Sequence, residues 1–296
     1  MPRFGTVMTA MVTPFADDGT VDFDGAAKLA KYLVANGNDG LVVAGTTGES
    51  ATLTHDEHIA LVEVIANSVD VPVIAGTGSN DTAAAVELTQ RASAAGCDAI
   101  LSVTPYYNRP SQNGLLSHFR AVAECTDLPV MLYDVPHRTG RKIGTETILS
   151  LAHQVDNVVA LKDAAQSPAE TARVVAEAPD DFEVYGGDDP LTLAFLAVGA
   201  VGTISIAAHW AGVEIGEMMA AYQRGDVADA ARLNGNLISS YDFCGSDEAP
   251  SPVPSKAMMR VLGLSVGQCR LPMGPEPDGL EDRAKAVLSH LGRHAR

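Results

Sequence analysis

Short apolar runs and amphipathic stretches take turns along the first two-thirds of the chain. The runs are TVMTAMVT (6–13), GLVVAG (40–45), VPVIAGTG (71–78), AILSVTP (99–105), PVMLYDVP (129–136), NVVALKD (157–163), FEVYGG (182–187) and AVGTISI (200–206). They are short and rich in β-branched residues, as strands are. Between them lie stretches with helical periodicity, such as DFDGAAKLAKYLVANG and THDEHIALVEVIANS. Successive runs begin roughly 20–35 residues apart, the length of a strand, a helix and two loops. Strands apolar on both faces belong in a parallel sheet covered by helices. Eight such units predict an α/β fold, a (β/α)8 TIM barrel. An open doubly wound sheet is the competitor. It calls for a GxGxxG turn after the first strand, and TPFADDGTVD contains none.

Past about residue 207 the strand signal stops and helical patterns follow: VEIGEMMAAYQRG, VADAARLNGNLISSYDF, PSKAMMRVLGL and GLEDRAKAVLSHLGRH. One of these completes the eighth unit. The expected organisation is a catalytic barrel over residues 1–225 and a C-terminal helical domain over 226–296. The Pro-rich stretch GSDEAPSPVPSK (245–256) is expected to be the loosest segment.

The composition, 46% hydrophobic and 19% charged, is that of a folded globular protein. A net charge of −17 disfavours nucleic acid and anionic membranes as partners, but a local site can still be positive. No apolar run is long enough to span a membrane, and the start MPRFGTVMTAMVTPF lacks a signal peptide's basic region and cleavage site, so a cytoplasmic location is expected. Cys97, Cys125, Cys244 and Cys269 have no CxxC spacing and read as packing residues. In HDEH (55–58) the histidines have metal-ligand spacing. Thr54 and Glu57 nevertheless form a capping box, so a helix start is the better account.

In such a barrel the chemistry sits where strands end at their C-terminal side. The second run ends in Thr46, Thr47 and Glu49, the fourth in Tyr106, Tyr107 and Asn108, and the fifth in Tyr133 and Arg138. The seventh ends in GGDDP and the sixth in a lysine, Lys162. The other five lysines sit among polar residues or at helical spacing. A buried lysine loses charge because desolvation disfavours the ammonium. The neutral amine attacks carbonyl carbon to give a Schiff base, whose protonated form is an electron sink. That chemistry needs hydroxyls to shuttle protons, and N–H groups or an arginine to hold a carboxylate. It requires no metal and no cofactor. Taken singly, each residue has a plain structural alternative: a surface lysine, a common β–α turn, a core aromatic, a surface ion pair.

Together, GTTGESATL, TPYYNRPSQ, LYDVPHRTG, ALKDA and GDD, in this order and spacing, resemble the dihydrodipicolinate (4-hydroxy-tetrahydrodipicolinate) synthases. These are members of the Schiff-base-forming lyase and aldolase group. The resemblance runs from VTPF to RLPM. It implies a lyase with a TIM barrel and a C-terminal helical domain, assembled as a homotetramer that is a dimer of dimers. It implies condensation of pyruvate with L-aspartate 4-semialdehyde, in the diaminopimelate branch of lysine biosynthesis. It also implies that Lys162 forms the imine and that Tyr133 moves protons beside it. Thr46 and Tyr107 complete a hydroxyl relay, with Tyr107 reaching in from a neighbouring subunit. The backbone of Thr46 and Thr47 grips the pyruvate carboxylate, Ile204 borders the pocket, Arg138 binds the aldehyde's carboxylate and Gly187 lines the mouth.

Many members of that family bind lysine as a feedback inhibitor between subunits. Ser50, Ala51, His55, His58, Asn80 and Tyr106 match that regulatory site, whereas Ala84 stands where a glutamate often holds the inhibitor's amino group. Weak or absent lysine inhibition is therefore expected. The alternative function is a sister Schiff-base aldolase or lyase that takes a different aldehyde. A catalytically silent barrel would lack a key group, and none is lacking.

Overall fold

A computed structural model describes residues 2–293, so Met1 and the last three residues of the expected helical region lie outside it. Eight parallel strands, β1 (Val7–Ala10), β2 (Gly40–Val43), β3 (Val73–Gly76), β4 (Ala99–Val103), β5 (Val130–Asp134), β6 (Val158–Asp163), β7 (Glu183–Gly186) and β8 (Gly202–Ser205), pair in chain order. The closure of β8 on β1 makes a barrel. Helices α1 (Phe23–Ala35), α2 (His55–Ala66), α3 (Thr82–Ala94) and α4 (Gln112–Glu124) surround it. The ring continues with the short α5 (Pro136–Thr139), then α6 (Thr145–Gln154), α7 (Pro168–Glu177), α8 (Thr192–Ala197) and α9 (Ala208–Gln223). Beyond it lie α10 (Val227–Phe243), α11 (Val253–Val261) and α12 (Leu280–His290). Among the described residues no helix is long and apolar enough to cross a membrane.

Strand side chains alternate between two apolar layers. Met8, Val42, Ile74, Leu101, Met131 and Ala160 fill the barrel interior, while Val7, Leu41, Val43, Ile100, Leu132 and Leu161 face the helices. The base is plugged by Tyr185, whose hydroxyl donates to Glu183 Oε2 at 2.5 Å and accepts the N–H of Phe4 at 3.2 Å.

The alternation slips at one place that decides the chemistry. Val130 pairs with Val158, but Met131 pairs with Ala160, so Val159 is an extra residue in β6. A slip of one position exchanges the two faces of a strand. Val158 faces the helices, yet Ala160 faces the interior, and so does Lys162 two residues on, paired with Tyr133 on one side and Tyr185 on the other. Strict alternation from Val158 would have turned Lys162 into the helix layer.

Helix α2 begins with the expected capping box: Thr54 Oγ1 accepts the N–H of Glu57 at 3.2 Å and Glu57 Oε2 accepts that of Thr54 at 2.9 Å. Arg270 grips the same Glu57 carboxylate and holds its pKa down to about 2. Among the described residues no cluster of His, Cys, Asp and Glu is arranged to hold a metal ion.

The Pro-rich stretch divides into an exposed part and a buried part. Only its first residues, 245–248, are exposed, and from Ser251 onward the chain is buried. Pro254 is near the N-terminus of α11, where a missing N–H costs nothing, and α11 packs on α9 and α12. Helix α11 has almost no polar face: Val253 through Met259 are all buried, Lys256 included.

Candidate active site

Lys162 sits at the floor of a cavity of about 460 Å³ at the C-terminal end of the barrel. Its side chain is only 5% exposed, and Nζ lies 4.3 Å from the centre of the Tyr133 ring. Burial pulls its pKa down to about 7. Asp189 opposes that shift, and the nearby charge of Arg138 adds to it. A large fraction of this amine is therefore neutral near pH 7, as a nucleophile requires. Desolvation raises the pKa of the Tyr133 phenol, partly offset by Arg138 and by a hydrogen bond with Thr46. The phenol thus keeps its proton until a reaction demands it.

Each wall is fixed by its own strand. The turn after β2 carries Thr46 and Thr47 between two left-handed residues, Ala44 (φ 52°) and Glu49 (φ 56°). Non-glycine residues hold such angles only when their surroundings insist. Here Thr13 Oγ1 donates to Gly48 O at 2.6 Å, and Glu49 is anchored to the C-terminal region. Among the described residues the amides of Thr46 and Thr47 have no backbone acceptor, which leaves them to bind an anion. After β5, the turn of α5 brings Arg138 over the cavity and stops at Gly140 (φ 69°). Ile204 enters from β8. Gly187 lies close to the Lys162 stem: an added Cβ would stand 3.0 Å from Ala164 Cβ and 3.2 Å from Lys162 Cγ and Cε, so a side chain there would press on the lysine.

The structure therefore gathers Lys162, Tyr133, Thr46, Thr47, Arg138, Ile204 and Gly187 around one cavity. It does not bring in Tyr107 of the same chain, which is 90% exposed on a left-handed backbone (φ 71°). A second cavity of about 450 Å³ shares Thr46, Val135, Arg138 and Ser251 with the first and is lined by Ser50, Ala51, His55, His58 and Tyr106. Asn80 does not line it; its carbonyl accepts from Asn108 Nδ2 at 2.7 Å.

Three features escaped the sequence reading. Asp189, at the end of GGDD, is buried in the wall of the active cavity. Cys244, read as packing, lines that cavity together with Ser246, Asp247 and Ser251. Lys256 is a second buried lysine, 1% exposed, paired with Glu49 at 2.7 Å. The adjacent acids after a barrel strand were a usable signal for the first, whereas the other two gave none.

A sequence model of the Dihydrodipicolinate synthetase family matches residues 3–291. The chain is 48% identical over 291 residues to a 4-hydroxy-tetrahydrodipicolinate synthase of Bacillus subtilis, covering 98% of this chain and 100% of that one. A crystal structure of dihydrodipicolinate synthase from Bacillus anthracis superposes with a TM-score of 0.93 at 46% identity, covering 98% and 99% of the two chains. The Cyanidioschyzon merolae enzyme with lysine bound gives 0.94 at 40% identity, covering 99% of both. The chloride-inhibited Acinetobacter baumannii enzyme complexed with pyruvate gives 0.90 at 35%, covering 97% and 98%.

Proposed function

This chain belongs to the dihydrodipicolinate synthetase family, and from that premise we propose that it is a 4-hydroxy-tetrahydrodipicolinate synthase, a lyase of the diaminopimelate route to lysine. It condenses pyruvate with L-aspartate 4-semialdehyde. The observation that carries the reading is Lys162, an amine buried against the Tyr133 ring with its pKa lowered to about 7.

Pyruvate enters with its carboxylate on the amides of Thr46 and Thr47 and its keto carbon at Lys162 Nζ, with Ile204 against it. Once the imine has formed, the pyruvate methyl carbon loses a proton and the electron pair moves toward the cationic nitrogen, giving an enamine. That carbon attacks the aldehyde carbon of the second substrate, whose carboxylate is held by Arg138. The aldehyde oxygen takes a proton through Tyr133. The product's amino group then replaces Lys162 at the imine carbon, which closes the ring and frees the lysine. Thr46 is hydrogen-bonded to Tyr133 and passes protons from it toward the mouth.

Tyr107 completes the relay from a neighbouring subunit of a homotetramer. The reading is supported by a tyrosine that stands 90% exposed, with exposed Tyr106 beside it in the chain. A monomeric species in sedimentation would overturn it. For the function itself the test is turnover of pyruvate with a panel of aldehydes. Aspartate semialdehyde should be consumed far faster than neutral or sugar aldehydes, which offer Arg138 no carboxylate. Equal turnover of a neutral aldehyde would instead make this a sister aldolase.

The second cavity is the lysine site of this reading, without its carboxylate at position 84. Losing one charge-assisted contact should weaken lysine inhibition by about 10–100-fold relative to an Ala84→Glu variant. Equal inhibition of the two proteins in a turnover assay would show that Ala84 is not what sets the response.

A further inference from the structure

Asp189 stands where β7 gives way to the loop that Gly187 carries across the Lys162 stem. It is 6% exposed and lines the same cavity as the lysine. One of its oxygens is fully engaged: Oδ2 accepts the N–H groups of Ile206 and Ala207 at 3.0 Å each, and the Cys244 thiol at 3.5 Å. The amides lead into the first turn of α9, which kinks at Ala211 (φ −122°), so the carboxylate is held by these two N–H groups and not by the dipole of a long helix. The other oxygen, Oδ1, is buried without a partner at full hydrogen-bond geometry; burial raises the carboxyl's pKa, and the Ser205 hydroxyl, the two amides and the Cys244 thiol oppose that rise and favour the charged form. A buried acceptor left idle is costly, and a carboxylate held rigidly by one oxygen only calls for a partner that comes and goes.

Imine formation creates such a partner. The neutral Lys162 nitrogen bonds to the keto carbon, and one of its protons moves to the former carbonyl oxygen. That oxygen takes a second proton from the Tyr133 hydroxyl and leaves as water. The nitrogen keeps one hydrogen and a positive charge, on a buried side chain and beside the like charge of Arg138. We propose that Asp189 is the resident counter-charge of Lys162, with Oδ1 kept free to face the cationic adduct nitrogen. It is a positioning residue that acts through the lysine and does not touch the substrate. This deepens the imine reading and rests on it.

The surrounding groups agree. Lys162 shares the cavity with Tyr133 from β5, whose ring face lies under the nitrogen, Arg138 from α5 and Asp189 from the β7 loop; of the two charged groups that bear on the nitrogen, Arg138 disfavours its charged form and Asp189 favours it. Asp189 is faced in turn by Tyr241 and Cys244 at the end of α10, with Asp188 beside it. Burial and the Asp189 charge push the pKa values of the tyrosine and the thiol upward, so both remain neutral.

The test compares wild type with Asp189→Asn, which keeps the shape and one oxygen for the two amides. Both are mixed with pyruvate and trapped with borohydride across pH. Removing a negative charge beside an amine disfavours its ammonium form, so the acid limb of trapping should move to lower pH by about one unit. The amount of adduct at equal pyruvate should nevertheless fall about tenfold, because the iminium has lost its counter-ion. The opposite signs are the signature. A substitution that merely loosened the site would admit water and move the limb upward; an upward or unmoved limb overturns the proposal. If wild type itself traps nothing, the imine reading falls first and takes this one with it. Should the variant fail to fold, wild type labelled with ¹⁵N at the lysine side chain decides. The pyruvate adduct nitrogen should remain protonated throughout the working pH range, and a neutral imine nitrogen there overturns the proposal.

Discussion

Replacing Lys162 with alanine should reduce turnover by about 10⁴-fold or more, the scale on which covalent catalysts lose rate with their nucleophile. No other group can take over. Among the described residues no second lysine lines the cavity, and Lys256 is committed to Glu49. Arginine should not restore activity, because a guanidinium stays protonated and is no nucleophile. The barrel should survive the change. The neighbours of Lys162 hold β6 in place: Leu161 from the helix layer, and Asp163, whose carboxylate accepts Thr171 Oγ1 at 2.6 Å and the N–H of Ala165 at 2.9 Å. Circular dichroism should therefore match wild type while steady-state turnover is lost. Substantial residual activity in the alanine variant would remove the imine from the mechanism.

Replacing Lys256 with methionine should cost the most stability. The ammonium lies 2.7 Å from Glu49, donates to Gln268 O at 3.1 Å and sits 4.0 Å above the centre of the Phe15 ring. The side chains on both sides of the pair are 1% exposed. Removing one member of a buried pair strands the other, at a cost of about 3–5 kcal/mol. For a chain of this size that lowers the melting midpoint by roughly 6–15 °C. Glu49 closes the turn that holds Thr46 and Thr47, so the KM for pyruvate should rise as well. Adding Glu49→Gln should recover part of the melting midpoint, because no full charge is then left unpaired. A single variant that melts like wild type would show that the pair does not secure the turn.

The barrel was legible in the sequence because two periods, one of strands and one of helices, alternate eight times. Lys162 was legible as the one lysine that ends an apolar run. Its direction was not, because the extra residue at Val159 resets the faces of β6 and leaves no mark on composition. Lys256 was hidden for a related reason. PSKAMMRV reads as an amphipathic helix with its lysine toward water, but α11 is buried on every side and the partner carboxylate lies far back in the chain. Of the Pro-rich stretch 245–256, residues 245–248 are exposed at the mouth of the cavity, whereas from Ser251 the chain is buried into α11. Proline-rich composition describes the backbone, whereas burial is decided by the helices that flank it.

The most direct measurement is borohydride trapping with pyruvate across pH, followed by peptide mapping. One pyruvate-derived adduct should form, on Lys162, with a yield that rises through a midpoint near the lowered pKa of about 7 as the ammonium gives up its proton. An adduct on another lysine, or a midpoint near the ordinary lysine value of 10.5, would contradict it.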